Sequence, residues 1–128
     1  MMLMIDVDKF KEYNDTFGHH DGDKFLILVA QALSSSLRKE DRACRMGGDE
    51  FAAMLFFDKN TTEKQMHERA QQIFDKMNVT IKSTEGGTGI SMGMVIAEPE
   101  TTFNQMYEAA DKALYQAKKN GRGKLIIS

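Results

Sequence analysis

The chain has 128 residues, a length that suits one domain built around one hydrophobic core. Its composition, 41% hydrophobic and 28% charged, is ordinary for a soluble globular protein. The formal net charge of −2 argues against a general nucleic-acid binder and against contact with anionic membranes, because proteins of both classes usually carry a basic excess. A small nucleotide is not excluded, since its site needs only a few local cations.

Cys44 is the one cysteine of the chain, so no disulfide can form within it. A reducing, cytoplasmic location is the expectation that follows. Because Ala43 and Met46 lie nearby, we expect Cys44 to be a buried small hydrophobe rather than a nucleophile. The apolar start of the chain reaches Asp6 almost at once, so it is too short for a signal peptide or a membrane span.

The first half of the chain predicts two helices between strands. Residues 2–7 form an apolar run typical of a buried strand that delivers carboxylates at its C-terminal end. Lys9–Thr16 predicts a short helix, and a longer amphipathic helix follows it. Arg42–Arg45 and Phe51–Phe57 predict strands on either side of a Gly-Gly pair, which is a hairpin signal. The apolar positions of the longer helix recur every three or four residues: Leu26, Val29, Ala30, Leu33 and Leu37.

The second half predicts a further helix from Thr62, a strand pair and a last helix. Val79–Ser83 and Gly89–Ala97 are the expected strand pair, joined by a glycine turn. The last helix is predicted over 102–120, and Leu125–Ile127 predicts a closing strand. This order of elements indicates an α/β (α+β) domain in which helices cover one mixed sheet, the architecture of polymerase palms and nucleotide cyclases.

Acidic residues follow the first strand and occupy the predicted hairpin tip. If those strands are neighbours, Asp6, Asp49 and Glu50 converge at one end of the sheet. Clustered carboxylates repel each other and cost desolvation, so a cation normally compensates them. Oxygen ligands favour magnesium, which binds through one or two carboxylates together with substrate phosphates. An EF-hand calcium loop is excluded, because Phe10 and Lys11 stand where that loop needs an oxygen ligand and a glycine.

The remaining acidic residues in turns are expected to be solvated. They are Asp8, Asp21 and Glu85.

Three motifs carry a resemblance to a known family. They are Asp6-Val7-Asp8-Lys9-Phe10-Lys11-x-x-Asn14-Asp15-x-Phe17-Gly18-His19-x-x-Gly22-Asp23, Arg45-x-Gly47-Gly48-Asp49-Glu50-Phe51, and Ala110-Asp111-x-Ala113-Leu114-Tyr115-x-Ala117-Lys118-x-x-Gly121-Arg122. In order and spacing, over nearly the whole chain, they resemble the GGDEF diguanylate cyclases. The resemblance implies a palm-like, mainly antiparallel sheet surrounded by helices. It also implies an enzyme that condenses two GTP molecules into cyclic di-GMP and pyrophosphate.

The resemblance implies a metal site and a catalytic acid. Asp6, Asp49 and the backbone carbonyl of Val7 would bind two Mg²⁺ ions, for which Mn²⁺ can substitute. Glu50 would assist deprotonation of the attacking 3′-hydroxyl.

The substrate residues also follow from the resemblance. Asn14 and Asp23 would read guanine, although as isolated residues both are as well explained as a turn cap and a helix cap. The remaining contacts are Gly47 and Gly48 for close approach of the nucleotide, the backbone of Lys9, Phe10 and Lys11 for phosphate oxygens, and Lys118 and Arg122 for the terminal phosphate. Lys118 and Arg122 are four residues apart, so one helix face is expected to present both.

A second ligand site is implied just ahead of the glycine pair. Arg38-Lys39-Glu40-Asp41 matches the family's R-x-x-D product-inhibition motif, and Arg69 aligns with a further arginine of that site. The expected ligand is cyclic di-GMP, bound by charge-assisted hydrogen bonds. A salt-bridged helix end explains the short motif equally well.

The family usually begins with a helix and a D-x-L-T-G-L-x-N-R stretch that this sequence lacks. We therefore expect residues 1–128 to be a GGDEF catalytic domain without its N-terminal helix, with a sensory or dimerising domain upstream, in a protein that can be membrane-anchored elsewhere. One site holds one GTP, so catalysis is expected to need a homodimer. Two rival functions stay open: a receptor that binds GTP or cyclic di-GMP without turnover, and a cyclase that makes cyclic mononucleotides.

Overall fold

A computed structural model describes all 128 residues, with five strands and four helices. None of the helices is long and apolar enough to cross a membrane. In chain order the elements are β1 (Met2–Val7), α1 (Phe10–Phe17), α2 (His19–Ser36), β2 (Arg42–Gly47), β3 (Glu50–Met54), α3 (Glu63–Lys82), β4 (Ile90–Val95), α4 (Phe103–Lys119) and β5 (Leu125–Ile127).

The strands form one five-stranded sheet in the order β2-β3-β1-β4-β5. The pairs β1–β3, β1–β4 and β2–β3 are antiparallel, and only β4–β5 is parallel. Strand β1 therefore lies in the centre, between the hairpin strand β3 and β4. The predicted mixed, mainly antiparallel sheet surrounded by helices is confirmed.

Alternation along β1 sends its side chains to two different cores. Leu3 and Ile5 join the larger core, which α2 and α3 cover, whereas Met2 and Met4 join a smaller core beneath α4. Because side chains alternate with a period of two, Asp6 projects to the same side as Met2 and Met4. The central strand thus presents a carboxylate to the helix that carries the C-terminal motif.

Gly93 lets α4 lie directly on the sheet. A β-carbon at Gly93 would come within 2.3 Å of the Ala110 carbonyl oxygen and of the Leu114 amide nitrogen. Backbone atoms cannot give way as the end of a side chain can, so only glycine permits this approach. The close contact fixes the height of α4 above β1 and β4.

The expected strand at Val79–Ser83 is wrong, because α3 continues to Lys82. Its buried residues, Ala70, Ile73, Phe74, Met77 and Ile81, keep the helical spacing through this region. The β-branched run Val79-Thr80-Ile81 favours a strand locally, but packing of the apolar face against α2 and the sheet prevails. Strand β4 pairs with β1 and β5 instead.

Cys44 is exposed, which corrects the expectation that it is buried. It lies on β2, an edge strand in which every residue is exposed. The apolar residues beside Cys44 in the sequence therefore do not indicate burial.

Candidate functional site

Three acidic side chains meet where β1 and β3 end. Asp6 pairs directly with Glu50 in the antiparallel register, so both side chains project toward α4. Asp49 precedes Glu50 in the tight turn between β2 and β3. The Val7 amide donates a hydrogen bond to the Asp49 carbonyl oxygen at 3.3 Å, which ties the hairpin tip to the end of β1. The predicted convergence of the strand end and the hairpin tip is present.

Two carboxylates of this cluster, Asp49 and Glu50, hold their protons more tightly than isolated ones. Burial and the neighbouring Asp6 raise the pKa of Asp49 to about 6. Burial, together with the charges of Asp111 and Asp6, also raises the pKa of Glu50. A carboxylate whose pKa lies closer to neutrality is a better general base for a hydroxyl proton. A cation bound between these groups would lower both values again.

Asp6 has one paired and one unpaired oxygen. Its Oδ2 forms an ion pair with the Lys118 ammonium, and its Oδ1 is buried without any hydrogen-bond partner. A buried carboxylate oxygen without a partner is costly, and a divalent cation would satisfy it. This oxygen suits a hard divalent cation, which takes few carboxylates and completes its shell with carbonyl, phosphate and water oxygens.

The turn beside these carboxylates leaves open space. A β-carbon built on Gly47 or on Gly48 would meet no atom within 4 Å. Gly48 has a φ of 53°, and its carbonyl oxygen accepts a hydrogen bond of 2.8 Å from Arg45 Nε. A β-bulge between Arg45 and Gly47 adds a local bend. The hairpin tip is thus a braced backbone edge that a nucleotide can approach.

The N-terminus of α1 supplies free backbone amides. The helix has no side-chain cap, and Lys9 before it adopts a left-handed conformation with a φ of 54°. The first amides of a helix lack internal partners and favour anions. Phe10 packs within the helix pair, stacking with Tyr13 and Phe25, while Lys11 is exposed. Lys9 also lines a pocket of about 300 Å³ together with Arg122.

Lys118 and Arg122 do not share a helix face, which corrects the expectation from their spacing. Helix α4 ends at Lys119, and Arg122 follows in the loop with a φ of 63°. The Arg122 amide donates to the Ala117 carbonyl oxygen at 2.9 Å, a bond that closes the helix end. Lys118 therefore reaches Asp6 from the helix, and Arg122 reaches the neighbouring pocket from the loop.

Asn14 and Asp23 lie on adjacent helices. Asn14 is on α1, and a β-carbon built on Gly22 of α2 would overlap its Oδ1. That Oδ1 is buried and has no hydrogen-bond partner. Asp23 lies inside α2, which begins at His19, so it is not a helix cap. It borders an apolar cleft of about 480 Å³ between α2 and the strands β2 and β3.

The residues of the implied inhibitory site also come together. Arg38 and Arg69 line one polar pocket of about 290 Å³, whose lining includes none of the three carboxylates. The Arg38 guanidinium lies 5.9 Å from the centre of the Phe57 ring. Asp41 is buried, and its two carboxylate oxygens accept backbone hydrogen bonds from Arg38 and Phe56 at 2.9 and 3.2 Å. Asp41 thus shapes the turn that carries Arg38.

One polar residue near the site, Asp8, was misjudged from the sequence, and another, Ser91, was missed. Asp8 was expected to be solvated, but it is only 5% exposed. Its partner Ser91 is fully buried in β4. Burial and the neighbouring charge of Asp6 raise the pKa of Asp8, against the lowering effects of its hydrogen bonds and of Arg122. The available signal was Ser91 itself, a polar residue within an apolar strand.

Comparison with known proteins agrees with this architecture. A model of the family described as "Diguanylate cyclase, GGDEF domain" matches residues 1–124. The diguanylate cyclase DosC of Escherichia coli is 36% identical over 130 residues, covering 98% of the chain and 28% of DosC. The chain thus spans little more than a quarter of that relative.

Two solved structures have the same fold. The diguanylate cyclase SiaD from Pseudomonas aeruginosa, in complex with its activator SiaC, gives a TM-score of 0.85 at 33% identity, covering 99% of the chain and 49% of SiaD. The GGDEF domain of DgcB from Caulobacter crescentus, in complex with c-di-GMP, gives 0.81 at 26% identity, covering 98% and 75%. The family match extends over almost all of the chain. The three motifs of the sequence contain the carboxylates, the glycine turn and the end of α4. The chain belongs to the diguanylate cyclase GGDEF domain family.

Proposed function

We propose that the chain is the catalytic domain of a diguanylate cyclase, which converts two GTP molecules into cyclic di-GMP and two pyrophosphates. The observation that carries the proposal is the pairing of Asp6 with Glu50 across β1 and β3, with Asp49 beside them and open space at the glycine turn. Enzymes of this family are generally metal-dependent, and we assign Mg²⁺ to Asp6, Asp49 and the Val7 carbonyl.

The reaction is a nucleotidyl transfer. The 3′-hydroxyl oxygen of one GTP attacks the α-phosphorus of the other, and the bond to the pyrophosphate breaks. Glu50 takes up the proton of the hydroxyl, a role that its raised pKa supports. Bound metal ions would neutralise the charge of the departing pyrophosphate. A second transfer with the roles exchanged closes the ring.

The other residues bind and orient GTP. Arg122 lines the pocket at Lys9, directly before α1, and we assign the phosphates to this pocket and to the first amides of α1. The Asp23 carboxylate would accept hydrogen bonds from the adjacent N–H donors of guanine, and the Asn14 amide would meet the remaining polar edge; the unpartnered Asn14 Oδ1 supports that role. The guanine base would then lie near the C-terminal half of α1, and the phosphates would lie near its first turn.

Catalysis requires two copies of the domain. Each site would hold one GTP, so a symmetric reaction brings two sites face to face. We therefore propose a homodimer as the active species, acting in the cytoplasm, where GTP is abundant. Product formation per domain should rise with protein concentration and fall on dilution.

Product inhibition is the regulatory part of the proposal. Arg38 and Arg69 line one pocket, and paired guanidinium groups suit the phosphates and guanine edges of cyclic di-GMP. Asp41 would act by holding the Arg38 turn.

Mass spectrometry of the product tests the function. The chain is incubated with GTP and Mg²⁺, and cyclic di-GMP is the expected product, lost in Glu50→Gln and with EDTA. The matched control is Glu108→Gln, an exposed residue on α4. Tight binding of GTP or cyclic di-GMP without any turnover, at concentrations that bring two copies together, would instead identify a receptor. A cyclic mononucleotide product would identify the other rival.

A further inference from the structure

The Asp8 carboxylate is buried at the end of β1, next to the catalytic cluster, yet the proposed mechanism does not use it. Both of its oxygens have partners inside the protein. Oδ1 accepts from Ser91 Oγ at 2.6 Å, and Oδ2 accepts from the Gly123 amide at 3.1 Å. A carboxylate whose oxygens are both engaged in this way is held in place.

Ser91 completes the same cluster. Its hydroxyl donates to Asp8 and accepts from the Gly123 amide at 3.1 Å, so the amide is shared between two acceptors. Asp8 is also fixed through its backbone: its amide donates to the Gly89 carbonyl oxygen at 2.9 Å, and its carbonyl accepts from the Thr88 hydroxyl. The cluster therefore joins β1, β4 and the loop after α4.

That loop has an unusual backbone. Gly121, Arg122 and Gly123 have φ values of 104°, 63° and 61°. A left-handed conformation is unfavourable for a residue with a side chain, so the surroundings must impose it on Arg122. The bond from the Arg122 amide to Ala117 holds one side of the residue, and the bonds from the Gly123 amide hold the other.

We propose that Asp8 and Ser91 are positioning residues that hold Gly123 and thereby aim the Arg122 guanidinium into the pocket beside Lys9. The inference rests on the proposed function, because it takes the phosphates of GTP as the group that Arg122 binds. Asp8 also lines this pocket, and in the proposal it acts on Arg122 through Gly123. Without its hydrogen bonds, two flexible glycines would leave Arg122 free to sample many directions, and the cost of ordering it would fall on GTP binding.

A double-mutant cycle on GTP affinity tests the coupling. Asp8→Ala and Arg122→Ala are each expected to weaken GTP binding about tenfold, and the double variant is expected to be no weaker than Arg122→Ala alone. Affinity for GMP, which lacks the two outer phosphates, should stay unchanged. Asp8→Asn keeps an acceptor for the Gly123 amide and should recover most of the loss. Asp75→Ala removes an exposed carboxylate on α3 and serves as the control.

Hydrogen exchange gives a second readout. The Gly123 amide should be protected in the wild type and exchange faster in Asp8→Ala and Ser91→Ala. If Asp8→Ala does not fold, the double-mutant cycle of Ser91→Ala with Arg122→Ala tests the coupling instead. Independent effects of the two sites on GTP binding, or equal losses for GMP and GTP, would overturn the inference while leaving the proposed function intact. A wild type that binds no GTP would end both.

Discussion

The Lys118 ammonium forms an ion pair with Oδ2 of Asp6, and the other oxygen of the same carboxylate is buried and unpaired. Helix α4 thus neutralises part of the acidic cluster while one oxygen stays available for a cation. The pairing depends on two independent placements, Asp6 on the α4 side of β1 and α4 lowered onto Gly93.

Removing the lysine should destabilise the fold. Lys118→Met leaves Asp6 as an uncompensated, nearly buried charge, and we expect a loss of about 2 kcal/mol of unfolding free energy in EDTA. Denaturant unfolding measures it. The exposed neighbour Lys119→Met is the control, and Asp6→Asn should restore most of the stability to Lys118→Met. Equal stability of Lys118→Met and Lys119→Met would contradict the assigned ion pair.

Removing the Asp49 charge should have the opposite effect. The pKa of Asp49 is raised from 3.8 to about 6, so the folded state binds the proton more tightly than the unfolded state does. In EDTA the Asp49 carboxyl therefore lowers the free energy of unfolding as the pH rises from about 4 through about 6. The loss persists above that range.

Asp49→Asn should flatten this part of the pH profile. The shift corresponds to about 3 kcal/mol, which solvent screening of a half-buried side chain reduces to about 1 kcal/mol. We expect that gain at pH 8, measured by urea unfolding, together with loss of cyclase activity. Asp15→Asn, an exposed residue of α1, should leave the profile unchanged. The raised pKa of Asp49 would be refuted if the unfolding free energy of the wild type rose between pH 4 and 6 by as much as that of Asp49→Asn.

Guanine selectivity should depend on Asp23. The wild type is expected to prefer GTP over ATP, because adenine lacks the adjacent donors that a carboxylate accepts. Asp23→Ala should weaken GTP binding by about 1–3 kcal/mol and leave ATP binding unchanged. Competition binding with both nucleotides measures the ratio, and Asp21→Ala provides an exposed carboxylate two residues away as control. Equal use of GTP and ATP by the wild type would remove Asp23 from base reading.

Cyclic di-GMP should bind at the pocket of Arg38 and Arg69. Arg38→Ala is expected to weaken the affinity for the product at least about tenfold, since it removes charge-assisted hydrogen bonds. Isothermal titration calorimetry measures this, with the exposed Lys39→Ala as control. Asp41→Ala should act more broadly, because Asp41 also holds the turn. Unchanged affinity in Arg38→Ala would place the product elsewhere.

Much of the fold could be read from periodicity and turn residues, but competition between packing and local preference could not. The apolar run of β1 and the Gly-Gly hairpin predicted that Asp6 and Asp49 meet if their strands are neighbours, and the structure pairs those strands. The β-branched residues of Val79–Ser83 favour a strand locally, and only tertiary packing shows that the helical spacing of Met77 and Ile81 prevails.

In the candidate site, too, some features could be predicted from the sequence and others depend on tertiary packing. The roles of motif side chains such as Glu50 were predicted from the resemblance to the GGDEF family. Asp8 was not, because its burial arises from Ser91 and Gly123, residues more than 80 positions away in the sequence. The left-handed Arg122 likewise follows from how α4 ends, and a count of four residues from Lys118 does not encode it.

The contact between Gly93 and α4 makes the acidic cluster sensitive to a distant position. Helix α4 rests on bare backbone there. A methyl group added at Gly93 would therefore push the helix away from the sheet and draw the Lys118 ammonium away from the Asp6 carboxylate. Charge balance at the cluster is therefore set partly by a steric contact at a glycine that carries no charge. A cyclase of this architecture can be tuned by substitutions that never touch its nucleotide.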